Sequence, residues 1–171
     1  MKAITISSLS IVLLLVVSAC SSIKVTTDYE KQTDFSKYKT FAFYKKGIDK
    51  APISDIDKRH IISEISTELE AKGMSKSKTP DILISIFTKA RERVDIYENN
   101  WRPYYYGPYQ RQQITKHTEG TLFIDIIEKE AKKLVWQGIG SGFLTKSQKP
   151  EKREANIQKF VQEILANYPP E

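Results

Sequence analysis

The residues with the most specific chemical spacing are Val17-Ser18-Ala19-Cys20. An aliphatic residue, two small residues and a thiol, in that order, make a lipobox. Small side chains at Ser18 and Ala19 let the backbone enter a peptidase cleft. Only a thiol at position 20 accepts a diacylglyceryl group as a thioether. The flanks agree. Lys2 gives a positive start, and Ile11 to Val17 is an unbroken apolar run. That run is too short to span a bilayer, which needs about 20 apolar residues. Its length matches a cleaved export signal. Cleavage is therefore expected between Ala19 and Cys20, with lipid attached to Cys20. One acyl chain holds a protein to a membrane only marginally, at about 0.8 kcal/mol per buried CH₂. Several chains on one cysteine make release negligible.

A second candidate is Asn99 to Gln113, which has neither helical nor strand period. Its Trp101, Arg102, Tyr104, Tyr105, Tyr106, Tyr109 and Arg111 place aromatic faces beside guanidinium groups. Such faces stack on sugar rings, peptides or a partner's prolines. Tyr, Trp and Arg are also the residues enriched at interface hot spots. The alternative is a hairpin tip, or aromatics folded back over a sheet edge.

Asp125 and Glu128 make a third candidate, a carboxylate pair for an envelope hydrolase. The commoner role for such residues is a cross-strand or turn contact. No His, Cys or Ser is spaced to complete a catalytic set. His60 lies within a helical stretch and His117 in a polar one, without metal-ligand spacing. No catalytic residue, metal site or cofactor is expected.

The 171 residues include 27 Lys and Arg, 21 Asp and Glu, two His and one Cys. A single cysteine excludes an intramolecular disulfide framework and Cys-rich metal sites. With 40% hydrophobic and 28% charged residues, the chain has the balance of a globular domain. The formal charge of +6 is spread along the chain and reads as solvated surface. Low charge, no recognised motif and an export signal speak against nucleic acid as a partner.

Four further stretches carry a resemblance. They are Val25 to Tyr29 with Asp34 to Phe43; Glu68 to Met74 with Pro80 to Ser85; Glu119 to Ile127 with Lys133 to Gly138; and Ile164 to Pro170. In this order the chain resembles the DUF4136 lipoproteins, a bacterial family of unknown function. Glu128 stands where the family often has a second Asp. The family often carries a variable Tyr- and Gly-rich stretch near residues 99–113. The resemblance implies a membrane-anchored α/β domain facing the periplasm, and no catalytic residues.

The elements that must position these residues are legible in the periodicity. Residues 24–29 and 38–44 read as strands, joined by a polar turn holding Asp34 and Ser36, with Phe35 as a plug into the core. Residues 54–72 read as a helix. Ser54 and Asp57 begin it, Ile61, Ile62, Ile65 and Leu69 make its stripe, and Gly73 ends it. Ile82 to Phe87 is nearly all apolar, which suits a strand covered on both faces or one in the middle of the sheet. It continues, more charged, to Ile96. Thr121 to Ile127 and Leu134 to Ile139 read as an antiparallel hairpin. Gly138, Gly140 and Gly142 recur at period two, which predicts close approach of another element. Ile157, Phe160, Val161, Ile164 and Tyr168 mark one face of a last helix, begun by Pro150 and ended by Pro169-Pro170.

The expected organisation is a signal at 1–19, a lipidated tether at 20–24 and one domain at 25–171, with the Tyr-rich loop at 99–113. The expected class is α+β: a mainly antiparallel, mixed sheet with two amphipathic helices on one face, in the order β-β-α-β-β-β-α. One parallel pair is expected across residues 38–87. Ser21 lacks the aspartate that retains lipoproteins at the inner membrane in enterobacteria, so the outer membrane is the expected location, on its periplasmic side. The expected role is a non-enzymatic binding or assembly module of the cell envelope, held to the membrane through Cys20 and meeting an envelope protein or glycan.

Overall fold

A computed structural model describes residues 23–97, 113–144 and 149–170. The elements are β1 (Lys24–Tyr29), a 3-10 turn (Phe35–Lys37), β2 (Thr40–Phe43), α1 (Lys45–Asp49) and α2 (Asp55–Ala71), followed by β3 (Ser75–Lys76), β4 (Ile82–Tyr97), β5 (Gln113–Glu128), β6 (Lys133–Leu144) and α3 (Pro150–Leu165). They form one six-stranded sheet in the order β1-β6-β5-β4-β2-β3. β1, β6, β5 and β4 pair antiparallel, whereas β2 pairs parallel with β4 and with β3. The fold is the expected mixed α+β sheet, including its parallel pair across the α2 crossover.

Alternation decides which face of the sheet is buried. Ile82, Ile84 and Ile86 of β4 and Leu122, Ile124 and Ile126 of β5 point to one side, where α2 and α3 lie. Ile61, Ile65 and Leu69 of α2 meet them, with Val161, Ile164 and Leu165 of α3. Full burial of each such side chain is worth about 1.5–3 kcal/mol against exposure. Ile62 is only partly buried, because it sits at the margin of the stripe.

The helix ends follow from local chemistry. The Ser54 hydroxyl accepts the Asp57 amide at 3.1 Å and donates to the Asp57 carboxylate at 2.7 Å. Gly73 takes a φ of 85°, and the Gly73 and Met74 amides reach back to Glu70 and Leu69. Contacts between Glu64 and Gln162, and between Asp57 and Arg153, show that α2 and α3 run in the same direction.

The predicted close approach at the glycines is present. A Cβ on Gly138 would lie 2.3 Å from Ile164, and one on Gly140 2.7 Å from the same side chain. Gly142 faces Phe160 in the same way, at 2.9 Å. Without side chains on this row, α3 settles directly on β6. Opposite Ile126 and Ile127 the ladder shifts register, so Val135 and Trp136 are both buried.

The polar turn after β1 holds its plug. Asp34 accepts the Ser36 amide at 2.9 Å. Phe35 stands edge-on to Tyr29, Tyr38 and Tyr168, with ring centres 6.0–6.2 Å apart. Asp81 pins the start of β2 beside the start of β4. It accepts the Lys39 and Thr40 amides at 2.9 and 2.8 Å. Those bonds hold its carboxyl below the usual aspartate range.

Two elements are not legible in the periodicity. α1 carries one buried apolar residue, Ile48, and so shows no stripe. It packs against β4 because Gly47 comes close to Ser85, where a Cβ would meet the hydroxyl at 2.2 Å. β3 is two residues long. The hairpin strands also extend further than the apolar runs, since β4 and β5 pair residue for residue out to Tyr97 and Gln113.

Candidate functional site

The face of the sheet turned away from α2 and α3 presents three rows of side chains. The ladder aligns Leu83, Ile127 and Leu134 in one row. Ser85, Asp125, Gln137 and Asp28 form the next, and Phe87, Phe123, Ile139 and Thr26 the third. Two apolar rows therefore flank a polar one. The Phe87 and Phe123 rings sit 5.7 Å apart, and the Lys89 ammonium lies about 5.5 Å from both. Phe87 is 42% exposed and Leu134 46%. Leu83, Phe123, Ile127 and Ile139 are half-buried, and the polar row separates the two apolar ones.

Asp125 lies in the middle of that surface. It is flanked along its strand by Phe123 and Ile127. Gln137 donates to its carboxylate at 2.7 Å. Burial pushes the Asp125 carboxyl up from its ordinary value, and the Gln137 bond offsets part of the rise.

Glu128 faces the other way. It accepts Lys37 at 2.6 Å and the Tyr38 hydroxyl at 3.2 Å, beside the aromatic core. The Lys37 hydrogen bond holds its carboxyl below the usual range, against some desolvation. The structure thus places the two carboxylates on opposite faces, with opposite shifts. They do not share a cleft, and the paired-carboxylate arrangement of a hydrolase is not formed. Of the two histidines, His60 contacts Glu154 at 3.3 Å between α2 and α3. His117 lies on β5, opposite Arg93.

The second feature is a half-open groove of about 560 Å³ where α2 and α3 diverge from the sheet. Its walls are Ile53 and Ile61 on one side and Ile157 and Phe160 on the other. Its floor is Thr88, Ala90, Gly120 and Leu122. Small residues on adjacent strands make this space, since Ala90 pairs with Gly120 and Gly120 with Gly142. Asp57 and Arg153 close one rim. No local pattern signals it, because a groove is made by side chains that are missing from distant strands.

The other sequence-derived candidates lie outside the described residues. These are Ala19 and Cys20, and Trp101, Arg102, Tyr104, Tyr105, Tyr106, Tyr109 and Arg111. The described arms of β4 and β5 lead to the second set, ending at the Tyr97–Gln113 pair.

Geometry of this kind, a sheet with two parallel helices on one face and the short α1 against Ser85 on the other, defines a small α+β domain. The chain belongs to the DUF4136 family, a domain of unknown function, with a match over residues 25–170. No curated protein matches it in sequence. Among solved structures it is similar to a PDZ domain protein from Parabacteroides distasonis, at 17% identity and a TM-score of 0.55. That likeness covers 88% of this chain and 37% of the other, so this chain spans little more than a third of that protein. The PelC dodecamer from Paraburkholderia phytofirmans aligns at 12% identity over 84% of this chain and 96% of PelC, with a TM-score of 0.48. A putative neuraminyllactose-binding hemagglutinin homolog from Helicobacter pylori aligns at 13% identity over 76% of this chain and 79% of that one, with a TM-score of 0.38. At these identities the first likeness concerns the fold alone.

Proposed function

We propose that this protein is a lipid-anchored, non-enzymatic binding module of the bacterial envelope. It is tethered through Cys20 to the outer membrane on the periplasmic side. The observation that carries the reading is Phe87, 42% exposed and set against half-buried Phe123 and Ile139 on the face away from α2 and α3. Phe87 and Phe123 are cross-strand partners that support the sheet, and Phe87 still leaves 42% of its surface to solvent. Beyond Phe87 and Phe123 this face turns polar at Lys89, Arg91, Thr121 and Glu119, and the β4–β5 ribbon leads through the chain to the Tyr- and Arg-rich residues 99–113. Ribbon and face together would present aromatic anchors to an envelope protein or glycan. The lipobox supports the anchor, and the short tether keeps the domain near the membrane.

The test compares capture of envelope components by full-length protein, by Phe87→Asp and by a deletion of residues 99–113. Both variants leave the buried core intact. The reading expects the same component to be lost from both. Retention of every captured component by both variants would refute it.

A further inference from the structure

The groove between the helices and the sheet lies on the opposite side from the aromatic face. It also has a different character. Its walls are aliphatic and aromatic, from Ile53, Ile61, Leu122, Ile157 and Phe160. Its volume of about 560 Å³ falls within the roughly 300–1,000 Å³ of small-molecule sites. Polar residues also line it, among them Thr118, Thr121 and Asn156, although the apolar surface dominates. The Thr88 hydroxyl is buried there without a hydrogen-bond partner. Arg153 stands at the rim, with 59% of its side chain exposed. One of its nitrogens donates to Asp57, while a guanidinium fork carries five N–H donors.

These features select among ligands. A peptide would bring backbone donors and acceptors that need partners. The floor offers it little, because the β4, β5 and β6 backbones are already paired with one another. A hydrocarbon chain needs no such partners, and an anionic headgroup suits the cation at the rim. The position of the N-terminus points the same way. A Cβ on Gly142 would lie 2.9 Å from Phe160 and 3.6 Å from Ile23, so the chain enters the domain beside the groove wall. If Cys20 is acylated, as proposed above, that wall is held close to a source of lipid.

We propose that the groove binds the hydrocarbon tail of a separate lipid molecule carrying an acidic head. The tail lies along Leu122, Ile157 and Phe160, and the acid meets Arg153. The proposal itself depends on the groove and not on the modification of Cys20.

The experiment adds a fatty acid with a diazirine near its chain end to membranes holding the full-length protein. After irradiation, the labelled residues are mapped by mass spectrometry. Labelling should fall on α3 and on the β4–β5 floor of the groove. Filling the floor with Ala90→Phe should lower it about tenfold, with folding checked by circular dichroism. Should that variant fail to fold, Ile157→Trp fills the same space from the helix side. Label mapped elsewhere, or unchanged in a folded filled variant, overturns the proposal. So does labelling that appears only in Cys20→Ser, because the groove would then hold the protein's own acyl chain. Intact mass of the same preparations reports separately on Cys20, so failure of the anchor and failure of the groove are told apart.

Discussion

Arg153 of α3 donates to the Asp57 carboxylate of α2, joining the first turns of two parallel helices across the end of the groove. The pair is asymmetric, with the Asp57 side chain 8% exposed and that of Arg153 59%. Removing the exposed partner therefore leaves a nearly buried carboxylate short of a donor. Arg153→Ala is expected to cost about 1–3 kcal/mol. It should appear as a lower urea midpoint with an unchanged slope. The conservative Arg153→Lys should recover part of the loss.

Gly138 and Gly73 separate packing from backbone strain. A Cβ at Gly138 would sit 2.3 Å from Ile164 and 2.4 Å from Trp136. Gly138→Ala therefore overpacks the α3–β6 contact, at about 1–3 kcal/mol. At Gly73 nothing lies within 4 Å, but φ is +85°. Gly73→Ala is expected to cost about 1 kcal/mol through backbone alone. Thermal unfolding of both variants checks the two values, and a larger loss at Gly73 would reverse the assignment.

Those two glycines also show how far the sequence could be read. Gly73 follows the last residue of an apolar stripe, and period two at Gly138, Gly140 and Gly142 announces close packing. Local patterns of this kind located α2, α3 and the hairpin. α1 escaped because Ile48 alone anchors it. The outer end of β5 escaped because cross-strand pairing with β4, such as Arg91 with Glu119 at 2.8 Å, sustains it where apolar alternation stops. The site was less legible than the fold. Nothing in the apolar runs says which face Phe87 and Phe123 take, and only the ladder puts them on the one away from the helices. The groove depends on Ala90, Gly120 and Gly142 becoming neighbours, and the rim on a pair 96 residues apart in the chain.

Two aspartates should give stability opposite dependences on pH. Asp81 has a lowered native pKa, caused first by the Lys39 amide and then by Thr40. Its contribution is complete above the ordinary aspartate value and is lost as pH falls through the native one. Asp81→Asn should therefore be less stable than wild type at neutral pH, with the gap closing in acid.

Asp125 has a raised native pKa, caused first by burial. Its ionised form opposes folding above the native value, and the penalty fades as pH falls toward the ordinary value. Asp125→Asn should be more stable than wild type at neutral pH and lose that advantage on acidification. Urea midpoints at several pH values test both aspartates. Parallel profiles for the two variants would contradict the assignments.

The anchor has a direct chemical signature. Protein isolated from native envelope should begin at Cys20 and carry the mass of its acyl groups. Cys20→Ser should abolish that mass and retain residues 1–19. An unmodified Cys20 in the native protein would remove both the tether and the location proposed from it.

The proposed role turns on the face that carries Phe87. A photo-reactive amino acid placed at position 87 in intact cells tests it most directly, with the exposed helix residue Ile56 as the control position. The account predicts one discrete envelope partner crosslinked from position 87, lost when Leu134→Asp is added and not seen from position 56. The same products from both positions, or none from position 87, would contradict it.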